Sequence, residues 1–504
     1  MGAAYRKFFL PILLFLNLSH SISATCTDPN SPCSLTMGTP TPLTPLASPS
    51  AESSTTTSTH AFFLVNLPPQ QEDIVITLGE NFGYLGFAVK IGVAGGWPTQ
   101  QDNDFSSQDS TFRNVLIIRG EDIEANKFTE GEKMRIRVES FGGTEGKGTL
   151  LVSSESTTVS LTNGVPTLFV VKSAVASTDP ATLISRSESF SFTTTSSGLL
   201  GTGEEYLVSV SPLGGGDPNL VIYDGTGGIS PGSCDGVHSV CSARSGYDFV
   251  KVPRSGTWNA YVSSSLAADE SAGSTNYCIF TVLASSARVG EPTKLLAGVT
   301  QDDSVGDNKA RYFLVDVPEG GEEFKIVVNP LTSTSNPDIY IRPGTNFYQP
   351  GSNNYPPIWS SVSLSTTVES VTIEPDDSNA LKEGGTYAVT VYGVESGVPA
   401  NMNEFSITPS FPTTTVFLRE GFPITETLLN GHYRYYQFFD SRDAGDLIID
   451  VTPFFGDPDM YVGCHLDATD SVEGFPSSAQ GHHNFSSTMM YEDSLVIPAS
   501  SPNR

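Results

Sequence analysis

Positive charge is scarce in this chain. Its 504 residues carry 26 Lys and Arg against 55 Asp and Glu, a formal charge of −29 with an isoelectric point near 4.4. A phosphate backbone asks for a basic face, so no nucleic acid is expected as a partner. Long apolar runs are lacking as well. The longest follows Arg6 and Lys7, from Phe8 to Leu16, ahead of small residues at Ser21, Ser23 and Ala24. That is the pattern of a secretory signal peptide over residues 1–24, too short to span a bilayer comfortably. Membrane attachment would need a segment not present in this chain, so the address is secreted or extracellular.

Cysteine is sparse, with six in all. In an oxidising compartment Cys26 and Cys33 would close one small loop, and Cys234 and Cys241 another. Cys278, on an expected strand, is either a buried thiol or a competitor for one of them, and Cys464 has no neighbour in its own region. Catalytic signatures are missing too: no nucleophile elbow, His-Glu-x-x-His, Gly-rich phosphate loop or papain-like Cys/His context. Glu204-Glu205 and Asp376-Asp377 are adjacent pairs whose members would face opposite ways on a strand. The chain therefore reads as a non-enzyme.

What is present is a repeat. Tyr206 to Pro212 leads to Asp217-Pro218-Asn219-Leu220, Phe324 to Pro330 leads to Asn336-Pro337-Asp338-Ile339, and Asp446 to Pro453 leads to Gly456-Asp457-Pro458-Asp459-Met460. The inner prolines are 119 and 121 residues apart, an internal period that decides the architecture. Alternation of Tyr206, Val208 and Val210 with Ser209 and Ser211, and of Leu447, Ile449 and Val451 with Asp450 and Thr452, has the two-residue period of a half-buried strand. Proline behind an Asx residue fixes the turn to the next strand.

Around that pair each repeat reads as the same series. An aromatic strand opens it at Phe62–Pro68, Ser189–Phe192, Tyr312–Pro318 and Tyr435–Phe439. Later strands follow at Val115–Ile118, Tyr247–Val252, Val371–Glu374 and Leu495–Ile497, then at Met134–Val138, Thr257–Val262 and Tyr387–Gly393, and last at Thr149–Val152, Cys278–Val282 and Phe405–Thr408. Short strands at this spacing predict an all-β chain of about four tandem antiparallel β-sandwiches, jelly-roll-like, at 61–160, 180–287, 292–411 and 414–504. The first is the most divergent, with Gly83-Tyr84-Leu85-Gly86 in place of the Asx-Pro turn. The fourth stops at the point matching Val252-Pro253 of the second, so the expectation is a truncated unit. Residues 25–60, rich in Ser, Thr and Pro, read as a flexible linker.

The Gly-Asp-Pro-Asp-Met-Tyr run at 456–461 and the Gly-Thr-Tyr-x-Val-x-Val-Tyr-Gly run at 385–393 resemble the bacterial pre-peptidase C-terminal domain. The resemblance covers roughly residues 180 to 504 and implies a jelly-roll-like sandwich that accompanies secreted peptidases, related to collagen-binding modules, with no catalytic content. Some of those modules hold calcium near the domain entrance, a site that does not transfer residue by residue.

Asp217, Asp338, Asp457 and Asp459 are the candidate ligands, with oxygens of the kind calcium prefers. Their first reading is as turn residues satisfying local N–H groups. No cofactor other than that ion is implied. His465, His482 and His483 with Cys464 match no compact zinc spacing and read as an exposed loop, as does His238 between Cys234 and Cys241. Trp97 and Trp359, near Phe347, Tyr348 and Tyr355, stand in loop contexts where a ring either packs or stacks on a ligand, while Trp258 is in strand register. Asn484-Phe485-Ser486 is a glycosylation sequon. These observations predict a non-catalytic extracellular protein with an adhesive, binding or scaffolding role and an extracellular protein or glycan ligand. The alternatives are the appendage of a secreted peptidase and the ectodomain of a single-pass membrane protein.

Overall fold

The computed structural model describes residues 26–501 except 48–59, 93–95, 100–101, 108–114, 124–131, 142–144, 173–187, 195–205, 215, 225–233, 235–237, 243, 245, 254, 266–276, 364–365, 396–401, 440–444 and 464–474. The signal peptide, Glu204-Glu205, Cys464 and His465 lie outside the described residues. Alternating side chains do form strands, and the strands form repeated two-sheet units, as the sequence predicts.

Each of the first three units has nine strands in one order. In unit three they are Thr293–Lys294, Gln301–Gly306, Ala310–Glu319, Phe324–Pro330, Pro337–Pro343, Trp359–Ser361, Glu369–Ile373, Glu383–Gly393 and Met402–Ser410. Strands one, three, eight, five and six make a five-stranded sheet, and strands two, nine, four and seven a four-stranded sheet facing it. Unit one runs from Cys33–Leu35 to Lys147–Ser154 and unit two from Val159–Ser160 to Tyr277–Ser286 in the same order. Pairing is antiparallel except for the first strand, which lies parallel to the third: Cys33 opposite Phe63, Val159 opposite Phe190, Thr293 opposite Phe313.

The core of a unit is the inward half of each alternation. In unit three Phe313, Val315, Ile326, Val328, Ile339, Ile341, Val389, Val391, Phe405 and Ile407 are all completely buried. Unit two closes over Trp258, Phe190, Phe169 and Phe280.

Two boundaries need correction. Residues 25–60 are not simply a linker: Cys33–Leu35 and Thr41–Pro42 are the first two strands of unit one, and Leu43 and Leu46 sit in its core at 4% and 0% exposure. Unit two likewise starts at Val159 rather than near 180, with Thr167–Lys172 as its second strand. Strands of two or three residues at sheet edges need few apolar side chains, so Ser/Thr/Pro composition hides them.

In unit four the same positions give three separate pairs. Thr415–Phe417 pairs with Tyr435–Gln437, Leu447–Val451 with Asp493–Ile497, and Met460–Val462 with Phe485–Ser487. These are strands one with three, four with seven and five with six. Among the described residues no strand occupies positions eight and nine, which in the other units join those pairs into two sheets.

Neighbouring units are fixed to one another by a repeated contact. Gly38, Gly164 and Gly298 each lie five residues after the start of the equivalent segment and adopt positive φ of 75°, 71° and 72°. Each glycine N–H donates to the last strand of its own unit, at Val152, Ala284 and Pro409. Each carbonyl accepts from the first strand of the next unit, from the N–H groups of Ser160, Lys294 and Phe417 at 2.8, 2.6 and 2.9 Å. A side chain there would stand 2.1–2.6 Å from the next unit's backbone, so both the conformation and the close approach require glycine.

Candidate functional site

The Asx-Pro corner joins strand four to strand five and faces the loop between strands six and seven. Pro218 and Pro337 are in the first turn of their fifth strands, where a missing N–H costs the ladder little. In unit two Asp217 accepts the Gly246 N–H at 2.8 Å. Two residues on, the fully buried Asp248 accepts from the Ser242 hydroxyl at 2.6 Å, the Arg244 N–H at 2.8 Å and the Leu220 N–H at 3.1 Å.

Unit four repeats this network atom for atom. Asp457 accepts the Tyr491 N–H at 2.7 Å, and buried Asp493 accepts from Ser487 Oγ, the Met489 N–H and the Met460 N–H at 2.6, 2.7 and 3.1 Å. Unit three varies it. Asn336 donates from Nδ2 to the Ser363 carbonyl, the Ser363 N–H donates to Asp338, and Glu369 takes the buried position with Ser361 as its donor.

Burial raises the carboxyls of Asp217 and Asp248 above the usual range, against the N–H and hydroxyl bonds that hold them ionised. In Asp338 burial, with a smaller contribution from the Glu369 charge, outweighs the Ser363 bond and pushes the carboxyl up to about 6. Asp459 is exposed and accepts from the Tyr461 hydroxyl, at 3.4 Å.

These corners therefore act as turn clamps. Calcium asks for six to eight oxygens, whereas each corner offers two or three carboxylates that already accept N–H or hydroxyl groups. Among the described residues no three His, Cys, Asp or Glu side chains converge in a group suited to a metal ion. Three of the candidate histidines are engaged in loops: His238 Nδ1 lies 2.9 Å from Asp224, His482 bonds the Ser477 hydroxyl and His483 the Ser477 carbonyl.

The aromatic candidates pack. Trp97 donates to the Pro29 carbonyl and lies 5.0 Å from the Phe62 ring, Trp359 donates to Asp377 and meets Tyr387 edge-on, and Trp258 is completely buried. Cys26–Cys33 and Cys234–Cys241 are disulfides, with Cα separations of 5.3 and 6.0 Å. Cys278 is a free thiol in the core, pushed up to about 12 by burial. Asn484 sits half-buried at a bend entering strand six of unit four.

Sequence reasoning missed the residues that join units. A hydrophobic cluster draws Val115 from unit one, Leu168, Val170, Leu213 and Ile279 from unit two, Leu296 and Val299 from unit three, and Phe417 from the start of unit four. Buried polar groups surround it. Gln301 donates to Ser209 and Ser211 of unit two and accepts from Thr281, each at about 3 Å. Arg419 grips fully buried Asp302 with two bonds, and Arg244 with Tyr247 clasps Glu404. Unit one also reaches unit three, through Lys147 Nζ at 2.7 Å from Asp316. The run Gln301-Asp302-Asp303-Ser304 has no apolar alternation to announce it, yet opens the second strand of unit three and is buried.

No protein-family model matches the chain, and no curated protein matches it. Among solved structures it is similar to a periplasmic inhibitor of g-type lysozyme from Aeromonas hydrophila, at 16% identity over 22% of this chain and 84% of that one, with a TM-score of 0.15. It is similar also to a structure of Sulfolobus turreted icosahedral virus, at 10% identity over 69% and 81% with a TM-score of 0.13. A third is latent PorU from Porphyromonas gingivalis, at 8% over 70% and 32% with a TM-score of 0.16. At such scores these likenesses carry no argument.

Proposed function

We propose that this chain is a non-catalytic extracellular scaffold, a rigid array of sandwich units of the pre-peptidase C-terminal type that holds an adhesive or binding surface at fixed spacing. The observation that carries the reading is the way units join. Independent domains meet through modest polar interfaces, whereas here one hydrophobic cluster takes residues from four units and a glycine contact recurs at three junctions. The buried polar side chains described above are occupied in turns and junctions, a use that serves shape. Two disulfides, and the lack of any helix among the described residues long and apolar enough to cross a membrane, are compatible with an extracellular setting.

Small-angle scattering of the secreted chain, paired with retention of the immobilised chain's partners from the matrix of the producing cells, tests the proposal. A single rigid particle that retains a protein or glycan is the expected result. Freely jointed units, or hydrolysis of the retained material by the chain, would overturn it.

A further inference from the structure

We infer that the loop between strands five and six of unit three is a binding site for a neutral glycan, with the ring of Tyr355 as its stacking platform. This rests on the scaffold reading above and names the ligand class that one of its surfaces takes.

The loop, residues 344–358, runs from the end of Pro337–Pro343 to the start of Trp359–Ser361, far longer than the roughly two to five residues that join most hairpins. Its backbone is nonetheless pinned across the outer face of the five-stranded sheet. The Gly344 N–H donates to the Thr386 carbonyl at 2.8 Å and the Ile358 N–H to the Ile341 carbonyl at 2.9 Å. Thr390 Oγ1 donates to the Tyr348 carbonyl at 2.9 Å, and Arg342 Nη1 to the Pro356 carbonyl at 3.2 Å. Phe347 is tucked under the loop at 4% exposure, its ring 5.1 Å from that of Tyr312, and Tyr348 packs on Tyr340 at 4.8 Å. A loop fixed in this way holds its outward side chains in place, which lowers the ordering cost of binding.

What it presents is uncharged. Between Arg342 and Glu369 there is no Asp, Glu, Lys or Arg, in a chain of formal charge −29. Asn346, Gln349, Asn353 and Asn354 are exposed, and their amide groups make no hydrogen bond among the described residues. A primary amide both donates and accepts, as sugar hydroxyls do, so each amide can meet a hydroxyl in either sense. A sulfated or uronate glycan finds no cation in the loop and is repelled by the charge of the chain. Protein partners are held at packed apolar centres, for which the loop offers only Tyr355 and Ile358 amid amides.

Tyr355 supplies an independent observation. Its φ is 54°, in the left-handed region that opposes a Cβ, and the residue is 49% exposed, so burial does not offset that cost. The Arg342 guanidinium lies over the ring, 5.1 Å from its centroid, while also holding the Pro356 carbonyl. Strain of this kind is kept where a side chain must be aimed. Here it aims a ring, whose apolar face suits the C–H face of a sugar, next in the chain to the Asn353 and Asn354 amides.

The test is calorimetric titration of the full chain with neutral hexasaccharides of β-1,4-glucan, β-1,3-glucan and α-1,6-mannan, with a heparin hexasaccharide as the charged control. Saturable binding of at least one neutral hexasaccharide is expected, and none of heparin. Tyr355→Ala should weaken it about tenfold, the worth of one aromatic contact, while Tyr355→Phe keeps the ring and the affinity. Tyr491→Ala, at an exposed tyrosine of positive φ in unit four, should bind as the parent does. No binding of any neutral hexasaccharide, preference for heparin, or affinity indifferent to Tyr355→Ala would overturn the inference. So would a matrix protein retained by the immobilised chain and lost with Tyr355→Ala, since the loop would then be a protein surface. In each of those cases a single rigid particle in scattering would leave the scaffold reading standing.

Discussion

Units three and four have much the same inward sequence and very different interiors. Ile326, Val328, Ile339 and Ile341 of unit three are completely buried, while of their counterparts Ile449, Val451 and Val462 are only partly covered and Met460 alone stays buried, at 9% exposure. Both units keep the corner clamp, Asp338 with Glu369 in one and Asp457 with Asp493 in the other. Local pattern and turn chemistry thus shape the strands and corners, but burial depends on two strands from later in the unit. Those strands carry the central position of one sheet and the second position of the other.

The largest expected effect is to make unit three resemble unit four. Phe405, on strand nine, is completely buried and stands edge-on to Phe313 at 6.2 Å. Phe405→Ala should cost about 3–5 kcal/mol, the transfer of the ring plus the cavity it leaves. Hydrogen exchange should then show Phe324–Pro330 opening at rates approaching those of Leu447–Val451, and unchanged protection of unit three would refute the comparison.

Next comes the junction. Gly298→Ala combines a left-handed backbone with a contact 2.1 Å from the Thr415 carbonyl, whereas Gly421→Ala carries only the backbone cost of about 1 kcal/mol. Calorimetry of the two variants should therefore separate them, with Gly298→Ala the more destabilised and unit four released from unit three in scattering. Equal effects would mean that the contact contributes nothing beyond its conformation.

A smaller effect depends on pH. The Asp338 carboxyl lies at about 6 in the folded chain, above its ordinary 3.8, so the folded state holds a proton that the unfolded state has lost between those values. Its contribution to stability is complete below pH 3.8 and is lost as pH rises through 6, a change of about 2–3 kcal/mol. Asp338→Asn keeps an acceptor for the Ser363 N–H and removes the ionisation. It should raise the melting temperature of unit three at pH 7 and flatten its dependence between pH 4 and 6; a variant that loses stability at pH 7 would show that the carboxylate is preferred there.

The strands of the sandwich were legible because their alternation is local: Tyr206, Val208 and Val210 announce one face without help from the rest of the chain. So were the disulfides Cys26–Cys33 and Cys234–Cys241, each closed over seven residues. The edge strands Cys33–Leu35 and Val159–Ser160 were not, since two or three residues leave no period to read. Nor were the partners of the corner carboxylates: Asp217 and Asp457 are plain in sequence, but the N–H groups they hold, at Gly246 and Tyr491, are 29 and 34 residues away. Junction residues such as Asp302 and Glu404 look like surface charge, and only the packing of one unit on the next buries them.

The corner also explains the smallest effect. Gly246 and Tyr491 occupy the same place, two residues before the buried aspartate, and both have positive φ, 96° and 83°. Glycine reaches that region freely, whereas a tyrosine there opposes its own Cβ. Tyr491 is held because Asp457 accepts its N–H, while its ring is 68% exposed and so loses little packing on removal. Tyr491→Gly should therefore stabilise unit four by up to about 1 kcal/mol, the left-handed strain less the added freedom of the unfolded chain. Slower amide exchange at Met460–Val462 is the readout. Faster exchange would mean that the exposed ring contributes to unit four in a way its counterpart in unit two does not.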